Sequence, residues 1–160
     1  MRKHKMCAAL AVAACLLTGS LTASAVDERL GTIVDGSLLT DETSVEATVY
    51  SVARGIYLNN GSGGLTIEGS RKVEISGRTN AHQVVDKINV SLFLQRLEGD
   101  SWVPVYTYGP KSAYNAYTVS AAKTYSVAGG YYYRMAGGHS VVEDGNVESI
   151  SSCTNGIWVE

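Results

Sequence analysis

The stretch "DKINVSLFLQRLEGDSWVPVYTYG", residues 86–109, decides the fold class. Apolar and polar residues alternate along its first half, as expected for a strand with one buried face. The apolar face of this strand has four members: Ile88, Val90, Leu92 and Leu94. Gly99 and Asp100 then separate it from a second alternating run, and a glycine in the first position of a two-residue loop is typical of a tight hairpin. This stretch therefore predicts two antiparallel strands.

Short strand-like runs continue on both sides of this hairpin, from Tyr50 to the end of the chain. The glycine-rich "NNGSGG" at residues 59–64 is interpreted as a loop, Gly109-Pro110 as a break between strands, and Asp144-Gly145 as the turn of a second hairpin. Seven or eight strands without a helical period predict an all-β fold for residues 50–160. The preferred form is an antiparallel β-sandwich, immunoglobulin/fibronectin type III-like, and the alternative is a jelly roll or small barrel.

Residues 1–25 have the features of a signal peptide. A cationic start, "MRKHK", precedes an apolar run at residues 6–17, and Ala23-Ser24-Ala25 follows as a small-residue cleavage site. The apolar run is too short to span a membrane. We expect cleavage after Ala25 and a secreted, extracellular protein. The alternative is a lipoprotein, because "VAAC" at residues 12–15 resembles the site at which Cys15 would be lipidated.

The mature chain is acidic. Three of the thirteen basic residues lie in the leader, which leaves ten against fifteen acidic side chains. This balance argues against binding to nucleic acid, which depends on lysine and arginine at phosphates.

Residues 26–49, which lack a sustained period, are predicted to form an acidic extended arm before the domain. The only cysteine after the leader is Cys153, so we expect an unpaired thiol and no internal disulfide.

The run "GGYYYRMAGG" at residues 129–138 contains three consecutive tyrosines. Since alternate side chains of a strand point to opposite faces, Tyr131 and Tyr133 are predicted to point into the core. Immunoglobulin-like sandwiches often place a tyrosine at such a position, with its hydroxyl bonded to upstream backbone. Tyr132 and Arg134 are then predicted to face solvent as a candidate pair for ligand contact.

A second aromatic stripe lies at every other position of the next predicted strand: Trp102, Tyr106 and Tyr108, with Pro104 between them. Proline cannot donate to a ladder, so this is predicted to be an edge strand. If the intervening valines pack inward, the rings form a platform for stacking on sugar rings or for anchoring a protein partner. In the alternative interpretation Trp102 folds over the end of the core.

The sequence predicts no catalytic residues, metal site or cofactor. Only His82 and His139 remain after the leader, and neither has the spacing of a nucleophile motif or of zinc ligands. The alternative to a binding protein is a small secreted hydrolase or toxin whose site is assembled around His82 or His139.

Several segments together resemble a family of small secreted proteins from Gram-positive Firmicutes that is catalogued as a domain of unknown function: "ERLGTIVDGSLLTDE", "KVEISGRTNA", "VSLFLQRLEGDSWVPV", "GYYYRMAGGH" and "CTNGIW". The resemblance implies an exported β-rich domain with no assigned reaction or cofactor. We therefore expect an exported, non-enzymatic protein that recognises a glycan or a protein at or outside the bacterial cell envelope.

Overall fold

The structure is a computed structural model that describes residues 28–52 and 55–160. It is all-β, as predicted, and the described residues contain no helix. The strands are β1 (Ile33–Val34), β2 (Ser37–Thr40), β3 (Ser44–Tyr50), β4 (Leu58–Gly69), β5 (Lys72–Glu98), β6 (Ser101–Ser126), β7 (Tyr131–Glu143), β8 (Asn146–Cys153) and β9 (Gly156–Val159). The predicted leader, residues 1–25, and the alternative lipidation site at Cys15 lie outside the described residues.

The strands form one curled, mixed sheet shaped like a half-barrel. Strand β5 is its centre: its first part pairs with β4, its second part pairs with β7, and β6 follows it along both parts. Only β2 and β9 run parallel to each other among the pairs in the described residues. The expected immunoglobulin/fibronectin type III-like sandwich is not confirmed, because the long strands β5 and β6 carry the hydrogen bonding from one side of the fold to the other.

Both predicted hairpins are confirmed. Glu98 pairs with Ser101 across the turn that contains Gly99, whose φ is 58°. The second turn has φ of 48° at Asp144 and 76° at Gly145, the positive values that a two-residue hairpin loop requires. Pro104 lies on β6, which pairs with β5 alone among the described strands and is therefore an edge strand, also as predicted.

The main core lies inside the curl. The four alternating residues of the opening stretch are all fully buried there, which confirms their predicted face: Ile88, Val90, Leu92 and Leu94. They pack with apolar residues of β4, β7 and β9, including Leu65, Met135 and Ile157. Burial of this apolar surface is the main stabilising contribution to the domain, since the described residues contain no disulfide.

The "NNGSGG" segment is part of strand β4, so its interpretation as a loop was wrong. A Cβ atom built on Gly61 would overlap the ring of His139, and one built on Gly63 would overlap the side chain of Met135. Glycines are required here because β4 passes close over β7 across the inside of the curl.

The predicted break at Gly109-Pro110 is likewise absent, since β6 continues through it. Gly109 has a φ of 105°, and the register with β5 shifts between Val90 and Leu92 at this point. The strand thus passes an irregularity without ending.

Residues 33–50 belong to the sheet, in contrast to the acidic arm expected over residues 26–49. Strands β1 and β2 form a hairpin, β2 pairs with β9, and β3 pairs with β4. Ser37 and Leu39 alternate as buried residues, a period of two that spans too few positions to be recognised in the sequence. Cys153 is a free, exposed thiol, as predicted.

Candidate functional site

Two of the three consecutive tyrosines are buried, one on each face of β7. Tyr133 lies in the main core as predicted, and its hydroxyl donates to the carbonyl of Ala128 at 2.8 Å. Burial raises the pKa of Tyr133. Tyr131 shares that face but lies at its rim, 38% exposed and outside the main core, so its predicted place in the core was wrong. The guanidinium of Arg96 lies over its ring. Tyr132 is buried, so the prediction that it faces solvent was wrong.

The N-terminal hairpin explains why Tyr132 is buried. Strands β1 and β2 lie over the outer face of the sheet and form a second, smaller core there, whose members are Val34, Leu39, Leu97, Trp102, Tyr132 and Trp158. Tyr132 packs edge-on against Trp158. The indole nitrogen of Trp102 donates to the carbonyl of Val34 at 3.1 Å. Trp102 therefore folds over a core, which was the alternative interpretation of this residue.

Arg134 ties the hairpin to the sheet, so the prediction that it faces solvent was also wrong. Its Nε donates to the side chain of Gln95 at 2.7 Å. One terminal nitrogen donates to the carbonyl of Asp35 and to the hydroxyl of Ser37, both at 2.9 Å, and the other pairs with the Asp35 carboxylate at 3.1 Å. The guanidinium also lies over the ring of Trp102, 4.6 Å from its centre. All three of its nitrogens thus donate hydrogen bonds that hold the fold together.

The aromatic stripe on β6 does not form one platform. The register with β5 shifts where Leu94 pairs with Tyr106 and Gln95 pairs with Pro104, which leaves Val105 as an extra residue. This bulge moves Trp102 to the outer face, whereas Tyr106 and Tyr108 stay on the face of the main core. Tyr108 packs against that core. Tyr106 is 41% exposed and stacks on Tyr125 at a centroid distance of 4.3 Å.

His139 is a buried structural residue in this geometry. Its two ring nitrogens lie 2.9 Å from the hydroxyls of Thr79 and Ser152, and only 1% of its surface is exposed. Burial lowers the pKa of His139 to about 4, so the ring is neutral at physiological pH. No carboxylate lies among its bonded partners.

His82 is exposed, and the carboxylate whose pKa it influences is already engaged. That carboxylate, Glu148, accepts backbone N–H bonds from Ile56, Tyr57 and Leu58 at 2.7–3.1 Å. Burial raises the pKa of Glu148, but these bonds and the charge of His82 together lower it below its ordinary value. Glu148 thus anchors the segment before β4.

Two kinds of feature are absent from residues 28–52 and 55–160. No group of three or more histidine, cysteine, aspartate or glutamate side chains is placed to hold a metal ion. No helix in this part of the chain is long and apolar enough to cross a membrane.

An open depression of about 480 Å³ lies on the outer face of β5, β7 and β8. We call it the serine trough. Its lining is Lys87, Asn89, Ser91, Phe93, Pro110, Gly138, His139, Ser140, Ser149, Ile150 and Ser151. Cross-strand pairing explains its composition, because directly paired residues share a face. Asn89, Ser140 and Ser149 form one row across the three strands, and Ser91, Gly138 and Ser151 form the next.

The floor of the serine trough is low because Gly138 stands at its centre. A Cβ on Gly138 would meet only Phe93 and Ser91, each at 3.8 Å, so the space above it is open. Asn89 is held in place, since its amide donates to Ser140 at 3.1 Å and its carbonyl accepts from Ser112 at 2.7 Å. The hydroxyls of Ser91, Ser149 and Ser151 make no side-chain hydrogen bond within the described residues and are available to a ligand.

The alternation in residues 88–95 places Asn89, Ser91 and Phe93 on the face opposite the apolar one, but nothing in the sequence marks them as part of a site. Alternation of serines at positions 149 and 151 is the signal that could have extended the outer face to β8. The pairing of β7 with both β5 and β8 brings these serines together, and that pairing is visible only in the structure.

The chain belongs to a family of unknown function, DUF6147, which matches it over residues 25–157. No curated protein is significantly similar to it. Among solved structures it is similar to the sporulation control protein Spo0M from Bacillus subtilis, at 11% sequence identity and a TM-score of 0.37. That match covers 74% of this chain and 50% of Spo0M, so this chain spans about half the length of that protein.

Proposed function

We propose that this protein is an exported, non-enzymatic recognition protein that binds neutral glycans in the serine trough, at or outside the bacterial cell envelope. The observation that carries the proposal is the trough itself: a solvent-open depression lined by hydroxyls, with one aromatic ring at its side. Sites for small ligands combine concave shape with a few placed polar groups.

The lining matches the chemistry of a sugar. Hydroxyls both donate and accept hydrogen bonds, so Ser91, Ser149 and Ser151 can serve the many hydroxyls of a glycan in either direction. Phe93 offers an apolar surface to the C–H face of a sugar ring. Lys87 is the only charged residue of the lining, and its ammonium lies over the ring of Tyr114, 5.7 Å from the ring centre. The rest of the lining is uncharged, which favours a neutral ligand.

Export is supported by the leader-like features of residues 1–25. The intact mass of material recovered outside the cell should correspond to a chain that starts at Val26. A lipid-modified chain that starts at Cys15 would contradict this part of the proposal.

Glycan binding is tested by filling the floor of the serine trough. Gly138→Val adds an isopropyl group where only Phe93 and Ser91 are near, and valine is favoured in strands, so the fold should persist. On an array of neutral glycans the unsubstituted protein should bind at least one structure, and Gly138→Val should lose that binding at unchanged melting temperature. Ala122→Val, on the outer face of β6 away from the trough, is the matched control and should bind normally. Equal binding by Gly138→Val, or no binding by the unsubstituted protein, would overturn the proposal.

A further inference from the structure

A second depression, also of about 480 Å³, crosses the other half of the sheet. We call it the charged groove. Its lining is Glu46, Ser62, Gly63, Gly64, Ser76, Gly77, Arg78, Lys111, Ser120, Ala121 and Ala122. The residues come from β3, β4, β5 and β6, and none of them lines the serine trough.

Pairing of the strands explains the shape of the charged groove. Glu46, Gly64, Ser76 and Ala122 lie in one cross-strand row, and Ser62, Arg78 and Ser120 lie in the next. Residues in such rows share a face, so small side chains fill the middle and longer ones stand at the sides. A Cβ on Gly64 would meet the Ser76 hydroxyl at 3.1 Å and the Glu46 side chain at 3.5 Å. Because Gly64 has no side chain, the floor of the charged groove lies at the level of the backbone there.

The charges of the groove are not neutralised by the protein. Glu46, Arg78 and Lys111 take part in no ion pair within the described residues. Arg78 Nε donates to the hydroxyl of Ser120 at 2.9 Å, which orients the guanidinium. Its terminal nitrogens make no hydrogen bond in the part of the chain that the structure describes. A guanidinium oriented in this way presents the paired donors that suit a carboxylate.

The geometry points to a binding site for a short peptide with free ends, its terminal carboxylate on Arg78 and Lys111 and its terminal ammonium on Glu46. Two strand spacings of about 4.8 Å and one two-residue step of about 7 Å separate the positions of Glu46 and Arg78, which gives about 12 Å. An extended chain covers about 3.3–3.6 Å per residue, so three or four residues bridge this distance. The small, polar floor leaves room for an extended backbone.

Tetra-alanine is the probe, because it has both terminal charges and methyl side chains only. In an NMR titration of the isotope-labelled protein, we expect saturable shifts of the Gly63, Gly64 and Gly77 amides. Tetra-alanine amide lacks the carboxylate and N-acetyl-tetra-alanine lacks the ammonium, so each should bind about tenfold more weakly. Dialanine is too short to reach both charges and should bind about as weakly as the blocked peptides.

Variants test which side chains are responsible. Arg78→Gln should weaken tetra-alanine binding about tenfold but leave binding of the amide unchanged. Glu46→Gln should likewise weaken tetra-alanine binding about tenfold but leave binding of the N-acetyl peptide unchanged. Lys123→Gln removes an exposed charge of β6 outside the groove and is the control, with unchanged affinity expected.

Three results would overturn the inference: no saturable shift with tetra-alanine, equal affinity for tetra-alanine and its amide, or equal losses in Arg78→Gln and Lys123→Gln. Because Gly138→Val alters only the serine trough, it should bind tetra-alanine normally. Failure of glycan binding and failure of peptide binding are thus distinguishable.

Discussion

The two halves of strand β7 have the same main core on their inner face but different surroundings on their outer face. At residues 131–135 the N-terminal hairpin covers the outer face, and Tyr132 and Arg134 are buried beneath it. At residues 136–143 no strand within the described part of the chain covers that face, and Gly138 and Ser140 line the open serine trough. An outward position in a strand is therefore exposed only if no distant segment of the chain packs over it. Here the covering segment lies about a hundred residues away in the sequence.

The largest expected loss of stability comes from a substitution on the inner face of β7. Tyr133→Ala should lower the free energy of unfolding by about 3–5 kcal/mol, because it leaves a cavity in the main core and removes the bond to the Ala128 carbonyl. Denaturant melts measure this change. Tyr133→Phe keeps the ring and loses only the hydrogen bond, so it should cost about 1 kcal/mol. If the two substitutions cost the same, Tyr133 does not fill the core as described.

His139, also on the inner face, should make stability depend on pH. Its pKa is about 4 when folded and about 6.5 when unfolded, so only the unfolded chain takes up the proton between these values. Stability should be constant above about pH 6.5 and fall as the pH drops toward 4, by up to about 3 kcal/mol. Melts between pH 4.5 and 7 measure the slope, and His139→Gln should remove this part of it. An identical slope in that variant would mean that His139 is not the responsible group.

A smaller and more local effect is expected where the outer face is covered. Arg134→Met removes the donors that hold Asp35 and Ser37 to the sheet and should cost about 2 kcal/mol. Asp35 is largely exposed, so its carboxylate is not left in an apolar environment. The amide of Leu39 donates a hydrogen bond to the carbonyl of Thr32 within the hairpin. Hydrogen exchange should accelerate more at Leu39 than at Leu92 in the main core.

Arg96→Met is the control for this substitution. Arg96 pairs with Glu98 near the surface and lies over the ring of Tyr131. It makes no hydrogen bond or ion pair with β1 or β2 within the described residues, so exchange at Leu39 should not change. Equal acceleration at Leu39 in both variants would contradict the role of Arg134 as the tie between hairpin and sheet.

The sequence was sufficient where local pattern determines structure. The faces of Ile88 and Leu94 follow from alternation, and both hairpins follow from residues that tolerate positive φ, Gly99 and the Asp144-Gly145 pair. It was insufficient where distant strands meet. Glycines at 61 and 63 looked like a loop because His139 and Met135, the residues that require them, lie more than seventy positions away. The face on which Trp102 lies could not be predicted either, because one extra residue in a bulge of β6 moves it to the outer face.

The candidate sites were harder to predict than the fold. Trp102, Tyr132 and Arg134 were singled out because large aromatic and charged side chains dominate known recognition surfaces, yet in this fold they meet in the second core. The open depressions are lined instead by small residues such as Gly138 and Ser151, which draw no attention in a sequence. Small side chains create concavity, and only the pairing of strands shows where they accumulate.

The most direct test of the central claim, that the N-terminal hairpin covers one half of the outer face, is the nitration of tyrosines in the native protein, located by peptide mass spectrometry. Tyr131, Tyr132 and Tyr133 are consecutive and chemically identical, so differences in their reactivity report differences in their surroundings, above all in exposure to solvent. We predict modification of Tyr131 and protection of both Tyr132 and Tyr133. Modification of Tyr132 to the same extent as Tyr131, with only Tyr133 protected, would contradict the account.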